Sequence, residues 1–252
     1  MSIFELHILG LTIAPTWYWL MYALGFFSCY EYVKRNGFLR EWDIDTLLFS
    51  LFLGVILGGR FGYVILYSFP YFLEHPVEIL QVWKWGMSFH GGAIWVILAI
   101  FLFAWNKKYP VFDIADPLVT ILPLALGLGR IGNLINGELL GFAPYIGPFA
   151  IMHNGVSHFP SPLLEASLEG LLLLIIMLAW KMHEKRSRRI PWYASALFLF
   201  GYGVFRIFSE FFRLPDAHIG YLFGTHFVTL GMIYTLPMFL GCMIVLLVAN
   251  RK

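Results

Sequence analysis

Long apolar runs dominate the chain, and short polar or basic connections separate them. A helix needs about 20 apolar residues to cross about 30 Å of hydrocarbon. Runs of that kind fall at 17–33, 45–68, 89–106, 116–136, 163–181, 192–213 and 226–250. The pattern predicts seven transmembrane helices, an all-α polytopic membrane protein in which residues 1–252 form a single transmembrane domain. Segments of about ten alternating residues, which would mark a transmembrane β-barrel, do not occur.

The basic residues orient this pattern. Lys34, Arg35 and Arg40 follow the first run, Lys107 and Lys108 the third, and Lys181, Lys185, Arg186, Arg188 and Arg189 the fifth. Arg251 and Lys252 follow the last, which puts twelve of the 17 basic residues on one side. The opposite connections hold Lys84 and Arg213. Cytoplasmic loops carry the excess of Lys and Arg, so the N-terminus is expected outside and the C-terminus in the cytoplasm.

Arg60, Arg130 and Arg206 fall inside the second, fourth and sixth predicted helices. Counted at about 1.5 Å per residue, they stand about 20–22 Å above the cytoplasmic ends, with Tyr18 at about 21 Å and His90 at about 24 Å. An arginine facing lipid is strongly disfavoured. The matching depths therefore predict a shared polar interior in the outer half of the bilayer.

The stretch 127–141 is the most unusual part of the pattern, with five glycines, Arg130, Asn133, Asn136 and Glu138 in an apolar chain. Dense glycine lets a ligand approach backbone N–H groups and predicts an interrupted helix. Gly54, Gly58 and Gly62, spaced by four, predict close helix packing. Residues 137–162 read as an outward-facing loop or head region, and its 142–162 portion carries four prolines. Loops of that length are usually functional. Asp116-Pro117 fits a helix N-cap followed by proline at the first helical position.

Composition agrees with the membrane reading: 60% hydrophobic and 13% charged, with mean hydropathy +0.75. A soluble domain is about half apolar and a quarter charged. No basic stripe with interleaved aromatics points to nucleic acid. Met1-Ser2-Ile3-Phe4-Glu5 lacks the basic start of a cleaved signal peptide. Cys29 and Cys242 lie in apolar runs and read as packing residues. Without CxxC or HExxH spacing, no metal or other cofactor is expected.

Candidate chemistry gathers on the polar helix faces. Tyr202, Arg206 and Glu210 are four apart and share one face. This is either a structural ion pair or an arginine fork that binds an anion, held by Glu210 and Tyr202. Arg130, Asn133 and Glu138 repeat the logic. Two arginines at matched depth suit a lipid phosphate and would stabilise charge growing on a departing phosphate. His90 is followed by Gly91 and Gly92, which leave room beside its ring. It is either a structural histidine or a general base for a thiol or hydroxyl. Glu165 and Glu169 share a face of the fifth helix, placed to pair with Arg60 or with the core arginines.

The motif Gly129-Arg130-Ile131-Gly132-Asn133-Leu134-Ile135-Asn136-Gly137-Glu138-Leu139-Leu140-Gly141 closely resembles the signature of bacterial prolipoprotein diacylglyceryl transferases. Trp17-Tyr18 with Met21-Tyr22, Gly58-Gly59-Arg60-Phe61-Gly62-Tyr63 and Gly86-Met87-Ser88-Phe89-His90-Gly91-Gly92 are similar to that family's first three blocks. Gly201-Tyr202-Gly203-Val204-Phe205-Arg206 and Glu210-Phe211-Phe212-Arg213-Leu214-Pro215-Asp216 resemble its sixth-helix block. One departure stands out. Pro160-Ser161-Pro162-Leu163-Leu164-Glu165 occupies the place of the family's Pro-Ser-Gln-Leu-Tyr-Glu, so a polar role for the replaced Gln and Tyr is lost while Glu165 is kept.

The resemblance implies transfer of the diacylglyceryl group of phosphatidylglycerol to the lipobox cysteine of a prolipoprotein signal peptide, with release of glycerol phosphate. It implies a multi-pass protein of the bacterial cytoplasmic membrane, surrounded by membrane lipids, with its active site toward the outer leaflet. Arg130, Arg206 and His90 are then expected at the reaction, and Tyr18, Asn133, Glu138, Gly141, Tyr202 and Glu210 around the substrate. Glu138 and Glu210 are expected to hold the arginines. Two other classes stay open on the residues alone. One is a lipid or anion transporter, since arginines and glycine-rich helices occur there too. The other is a structural membrane subunit whose arginines are all paired internally.

Overall fold

The computed structural model describes residues 6–8, 11–13, 16–36, 39–82, 86–186, 191–215 and 220–249. The basic residues Lys84, Arg188, Arg189, Arg251 and Lys252, used above for orientation, lie outside them, as does Asp216. Each of the seven predicted runs forms a helix. Five helical segments are long and apolar enough to cross a membrane: Glu41–Leu66, Phe89–Lys107, Val111–Asn136, Ser161–Glu184 and Leu230–Leu247. The helices at Trp17–Asn36 and Tyr193–Glu210 are less apolar, because tyrosines and charged groups such as Glu31, Arg206 and Glu210 dilute them. The chain divides into two compact units, Val33–Ala115 and Met1–Tyr32 with Asp116–Lys252.

In the unit Val33–Ala115, α2 (Glu41–Leu66) packs along α4 (Phe89–Lys107), with α3 (Phe69–Glu74) and a 3₁₀ turn (Pro76–Leu80) between them. The Gly54, Gly58, Gly62 face makes this contact, as its spacing predicts. Gly91 of α4 lies against it, and a Cβ on Gly91 would stand 2.7 Å from Gly62 Cα. Gly91 therefore serves close helix packing, not the space beside His90 that the sequence suggests. Lys107 Nζ pairs with Asp43 Oδ1 at 2.7 Å, and the Tyr109 hydroxyl donates to Asp43 Oδ2 at 2.9 Å, clasping the ends of α2 and α4.

Arg60 belongs to the same scaffold. Its guanidinium donates to the backbone carbonyls of Ile79 (3.1 Å), Gly86 (3.2 Å) and Glu78 (2.6 Å), and lies 5.1 Å from the centre of the Phe72 ring. Depth alone leaves open whether Arg60 belongs to the site or to the scaffold. Within its unit it pins the connection between α2 and α4, because a planar five-donor fork satisfies several loop carbonyls at once.

The second unit contains β1 (Leu6–Ile8) paired antiparallel with β2 (Leu11–Ile13), most of α1 (Trp17–Asn36) and most of α5 (Val111–Asn136). Beyond α5 come β3 (Ile151–His153) and β4 (Val156–His158), then α6 (Ser161–Glu165), a π turn (Ala166–Leu172) and α7 (Leu173–Arg186) that form one continuous rod. Finally α8 (Tyr193–Glu210) packs along α9 (Leu230–Ala249). Leu173, Met177, Ala194, Phe198 and Tyr202 form its apolar core. Pro162 enters α6 in its first turn, where the missing N–H costs no helical bond.

Three sequence expectations change here. The glycines at 127, 129 and 132 do not break α5, which runs on to Asn136. It ends where Gly137 takes φ +68° and the N–H of Glu138 reaches Asn133 O at 2.9 Å, a Schellman closure. Asp116 does not begin this helix, which starts at Val111; its carboxylate caps a different one. Oδ2 accepts the N–H of Trp192 at 2.7 Å, and Oδ1 accepts the N–H and hydroxyl of Ser195 at 3.1 and 2.6 Å. Last, the 142–162 loop carries a built hairpin. Register bonds pair β3 with β4, and Tyr145 N–H to Ser157 O and Phe159 N–H to Phe142 O extend the ladder. Phe142, Tyr145, Phe159 and Phe212 pack their rings at its base.

Asp116 is buried, and charged hydrogen bonds of this kind contribute about 1.5–3 kcal/mol each when a partner would otherwise be stranded. An Asp116→Ala variant should lose about 3 kcal/mol of stability. Thermal unfolding in detergent should show a Tm several degrees below that of the parent. An unchanged Tm would mean the N-terminus of α8 does not depend on this carboxylate.

Candidate active site

The site begins with a helix crossing. Gly127 of α5 lies against Gly170 of the π turn, and a Cβ on Gly127 would stand 2.9 Å from Gly170 Cα. With no side chain on either partner the backbones meet directly. Arg130 follows Gly127 by about one turn, and Glu169 and Glu165 precede Gly170, so the crossing delivers a cation from one helix to two carboxylates on the other. The π turn, a geometry that recurs at functional positions, starts immediately after Glu165.

Arg130 Nε lies 2.8 Å from Glu165 Oε2, and its Nη2 donates to Glu169 Oε2 at 3.3 Å. Arg206 of α8 enters from the other side. Its Nη1 is 3.4 Å from Glu165 Oε2 and 3.5 Å from Glu169 Oε1, and its Nη2 is 2.8 Å from Glu210 Oε2. Glu165 and Glu169 are fully buried, while the two arginine side chains keep 17% and 12% exposure. The two arginines singled out from the sequence do share one constellation. Each carboxylate of the pair Glu165 and Glu169 is common to both.

A third arginine joins them. Arg213 follows α8, and its side chain is nearly buried, with Nε 3.7 Å from Glu165 Oε1 and Nη1 3.8 Å from Glu210 Oε2. A backbone bridge from Arg213 to Gly141 ties it to the end of the glycine-rich stretch. Sequence position alone marks Arg213 as a loop residue on the outer side. Its spacing of three from Glu210 and seven from Arg206, all on one helical face, is the signal that could have found it. The network holds three guanidinium and three carboxylate groups. Thr229, which caps α9 by accepting the N–H of Met232, donates its hydroxyl to Glu210 Oε1 at 3.0 Å.

Tyr202 is buried one turn before Arg206 on α8. Asn133 is buried on the Arg130 face of α5. Tyr18 of α1 packs beside Gly132, where a Cβ would stand 3.1 Å from its Cδ2, and tilts against Tyr22 at 4.9 Å. Glu138, expected to hold an arginine, instead lies exposed and accepts from Asn136 Nδ2 at 3.2 Å. The helix closes at Gly137, which carries the next residue away from the Arg130 face. Gly141 is buried where its N–H reaches Phe159 O at 2.9 Å, and His158 Nδ1 meets its carbonyl at 3.1 Å. His90 lies in the other unit, in the first turn of α4, half-buried with its ring edge-on to Phe89 at 5.6 Å. Ser88 caps that turn by accepting the N–H of Gly91.

The described residues form an all-α protein with membrane-length apolar helices and a buried arginine–carboxylate network built from three helices and a following turn. The chain belongs to the family described as prolipoprotein diacylglyceryl transferase, whose model matches residues 5–248. It is 44% identical to the phosphatidylglycerol–prolipoprotein diacylglyceryl transferase of Pasteurella multocida (strain Pm70), over 99% of this chain and 92% of that protein. The proteins of the same name from Geobacter sulfurreducens and Bordetella avium (strain 197N) are each 42% identical, over 94% and 95% of this chain and 92% of each relative.

Removing one partner from a buried ion pair leaves the other uncompensated and costs about 3–5 kcal/mol. Glu169 is shared by Arg130 and Arg206, so Glu169→Ala should destabilise the protein by about that amount. Chemical or thermal unfolding in detergent measures it. A loss below about 1 kcal/mol would show that the arginines do not depend on this carboxylate.

Proposed function

We propose that the chain transfers the diacylglyceryl group of phosphatidylglycerol to the thiol of a lipobox cysteine in a prolipoprotein signal peptide. A thioether forms and glycerol phosphate leaves. The observation that carries this reading is the Arg130–Arg206 constellation, buried, braced by shared carboxylates, and set in a chain of this family.

The chemistry follows from the groups. The thiol gives up its proton, and the thiolate attacks the glyceryl carbon that carries the phosphate ester. The C–S bond forms as the C–O bond breaks, and the departing phosphate gains negative charge. Arg130 and Arg206 bind the phosphodiester and stabilise that charge, which grows only in the transition state. In the empty site Glu165, Glu169 and Glu210 hold both forks in orientation. Each guanidinium has five N–H donors, so a braced fork still has donors free to meet an incoming phosphate. Tyr18, Asn133, Gly141 and Tyr202 line the headgroup's surroundings, and His90 takes the thiol proton.

The protein is read as a multi-pass protein of a bacterial inner membrane with seven spans, its N-terminus outside, its C-terminus in the cytoplasm and its site toward the outer leaflet. The distribution of Lys and Arg supports this orientation. α1 and α8 complete the set of seven. They are less apolar than the rest because Tyr18, Tyr202, Arg206 and Glu210 face a polar interior in this reading.

The hairpin loop guides the signal peptide. Residues 139–164 contain no Asp, Glu, Lys or Arg. Ile146 is 100% exposed, Phe149 77% and Met152 67%. A charge-free apolar edge next to the site suits the apolar stretch of a signal peptide.

Two measurements test these roles. Purified protein, phosphatidylglycerol and a lipobox peptide with a free cysteine should yield diacylglyceryl-modified peptide and glycerol phosphate. In that assay Arg130→Lys, which keeps charge and loses the fork, should lower kcat by about 10²–10³, and His90→Gln by at least about 10². Near-normal turnover in either variant removes that residue from its role, and no product from the parent protein ends the enzyme reading. For the loop, a photo-crosslinking residue at Ile146 should capture the lipobox peptide. Capture of lipid alone would contradict the guide.

A further inference from the structure

We propose that Arg213 is a substrate-positioning residue that takes over the carboxylates of Glu165 and Glu210 when the lipid phosphate draws Arg130 and Arg206 away from them. The proposal rests on the phosphate clamp described above.

Three observations converge on it. Among the described residues, Arg213 reaches no carboxylate of its own. Both of its ionic neighbours are already held at 2.8 Å by a clamp arginine, Glu165 by Arg130 and Glu210 by Arg206. Arg213 stands farther from the same two groups, at 3.7 and 3.8 Å. Next, among the described residues its buried Nε makes no hydrogen bond, and neither does Glu165 Oε1, Glu165 Oε2 or Glu210 Oε2. Arg213 Nε thus faces Glu165 Oε1, and Arg213 Nη1 faces Glu210 Oε2, at ionic range and short of a hydrogen bond. Finally, Arg213 is fixed from behind by its backbone bridge to Gly141, so only its side chain needs to move.

The charge balance supplies the reason. The resting network is neutral, with three cations and three anions. A phosphodiester adds a negative charge and claims the forks of Arg130 and Arg206. Glu165 and Glu210 would then lose their nearest partners while still buried, which is strongly unfavourable. Closing the gaps to Arg213 by about 1 Å restores a partner to both, at hydrogen-bond distance. Glu169 keeps its place between the clamp arginines, and Thr229 continues to hold Glu210 Oε1. The carboxylates brace the empty site and are handed over when it fills.

The test uses the full chain in mixed micelles, with phosphatidylglycerol as the probe. Kd for the lipid, KM and kcat in the transfer assay, and Tm without lipid are measured for Arg213→Gln, Arg213→Lys and the double variant Arg213→Gln/Glu165→Gln. Arg213→Gln should raise Kd and KM by about tenfold or more, with a smaller change in kcat. Its lipid-free Tm should fall much less than that of Arg206→Gln, because the resting contacts of Arg213 are long. Arg213→Lys, which keeps the charge, should recover most of the affinity. Removing the Glu165 charge as well should bind lipid more tightly than Arg213→Gln alone. Unchanged Kd and KM in Arg213→Gln would overturn the proposal, as would a lipid-free Tm lowered as far as in Arg206→Gln. Arg130→Lys measured alongside separates the two readings. If it weakens lipid binding while Arg213→Gln does not, only the role of Arg213 fails. If it too leaves Kd unchanged, the clamp itself fails.

Discussion

Six ionised side chains in an apolar interior must neutralise one another, and the surrounding helices are arranged around that requirement. Arg130, Arg206 and Arg213 oppose Glu165, Glu169 and Glu210 from α5, α6 with its π turn, α8 and the turn that follows it. Taking any one of them out of water alone would be expensive. The close crossing at Gly127 and Gly170, the cap at Thr229 and the bridge from Arg213 to Gly141 all bring charges within reach of partners. Pairing of this kind is also what a purely structural network would show. Here the arginines keep spare donors, and the chain belongs to a family of transferases.

The helices were readable because apolar length is a robust signal, and each of the seven runs is helical. The Arg130–Arg206 pairing was readable too, since two cations inside apolar helices have few stable solutions. Their counter-ions were legible only as possibilities. Glu165 and Glu169 fit by helical spacing, but Glu138 looked equally suitable from its closeness in sequence to Arg130. What excludes Glu138 is the left-handed turn at Gly137, which a glycine permits and does not compel.

Arg60 and Asp116 carry the complementary lesson. Depth along a helix is a single coordinate, and it says nothing about which way a side chain leaves the axis. Arg60 matches the other arginines in depth and satisfies itself on the carbonyls of Glu78, Ile79 and Gly86. Asp116 has the residue type of a cap and performs one, for the helix at Tyr193 and not for its own. Arg213 was hidden by the opposite error. It follows the end of α8, and basic residues beyond helix ends usually face water.

The central claim is that a lipid phosphate sits between Arg130 and Arg206. Solid-state NMR recoupling between arginine ¹⁵N and lipid ³¹P tests it in the intact membrane protein. With phosphatidylglycerol bound, arginine side-chain signals should dephase against phosphorus, and the effect should vanish when Arg130 and Arg206 are both replaced by lysine. Absence of dephasing in the parent protein, or its persistence without those two arginines, would contradict the claim.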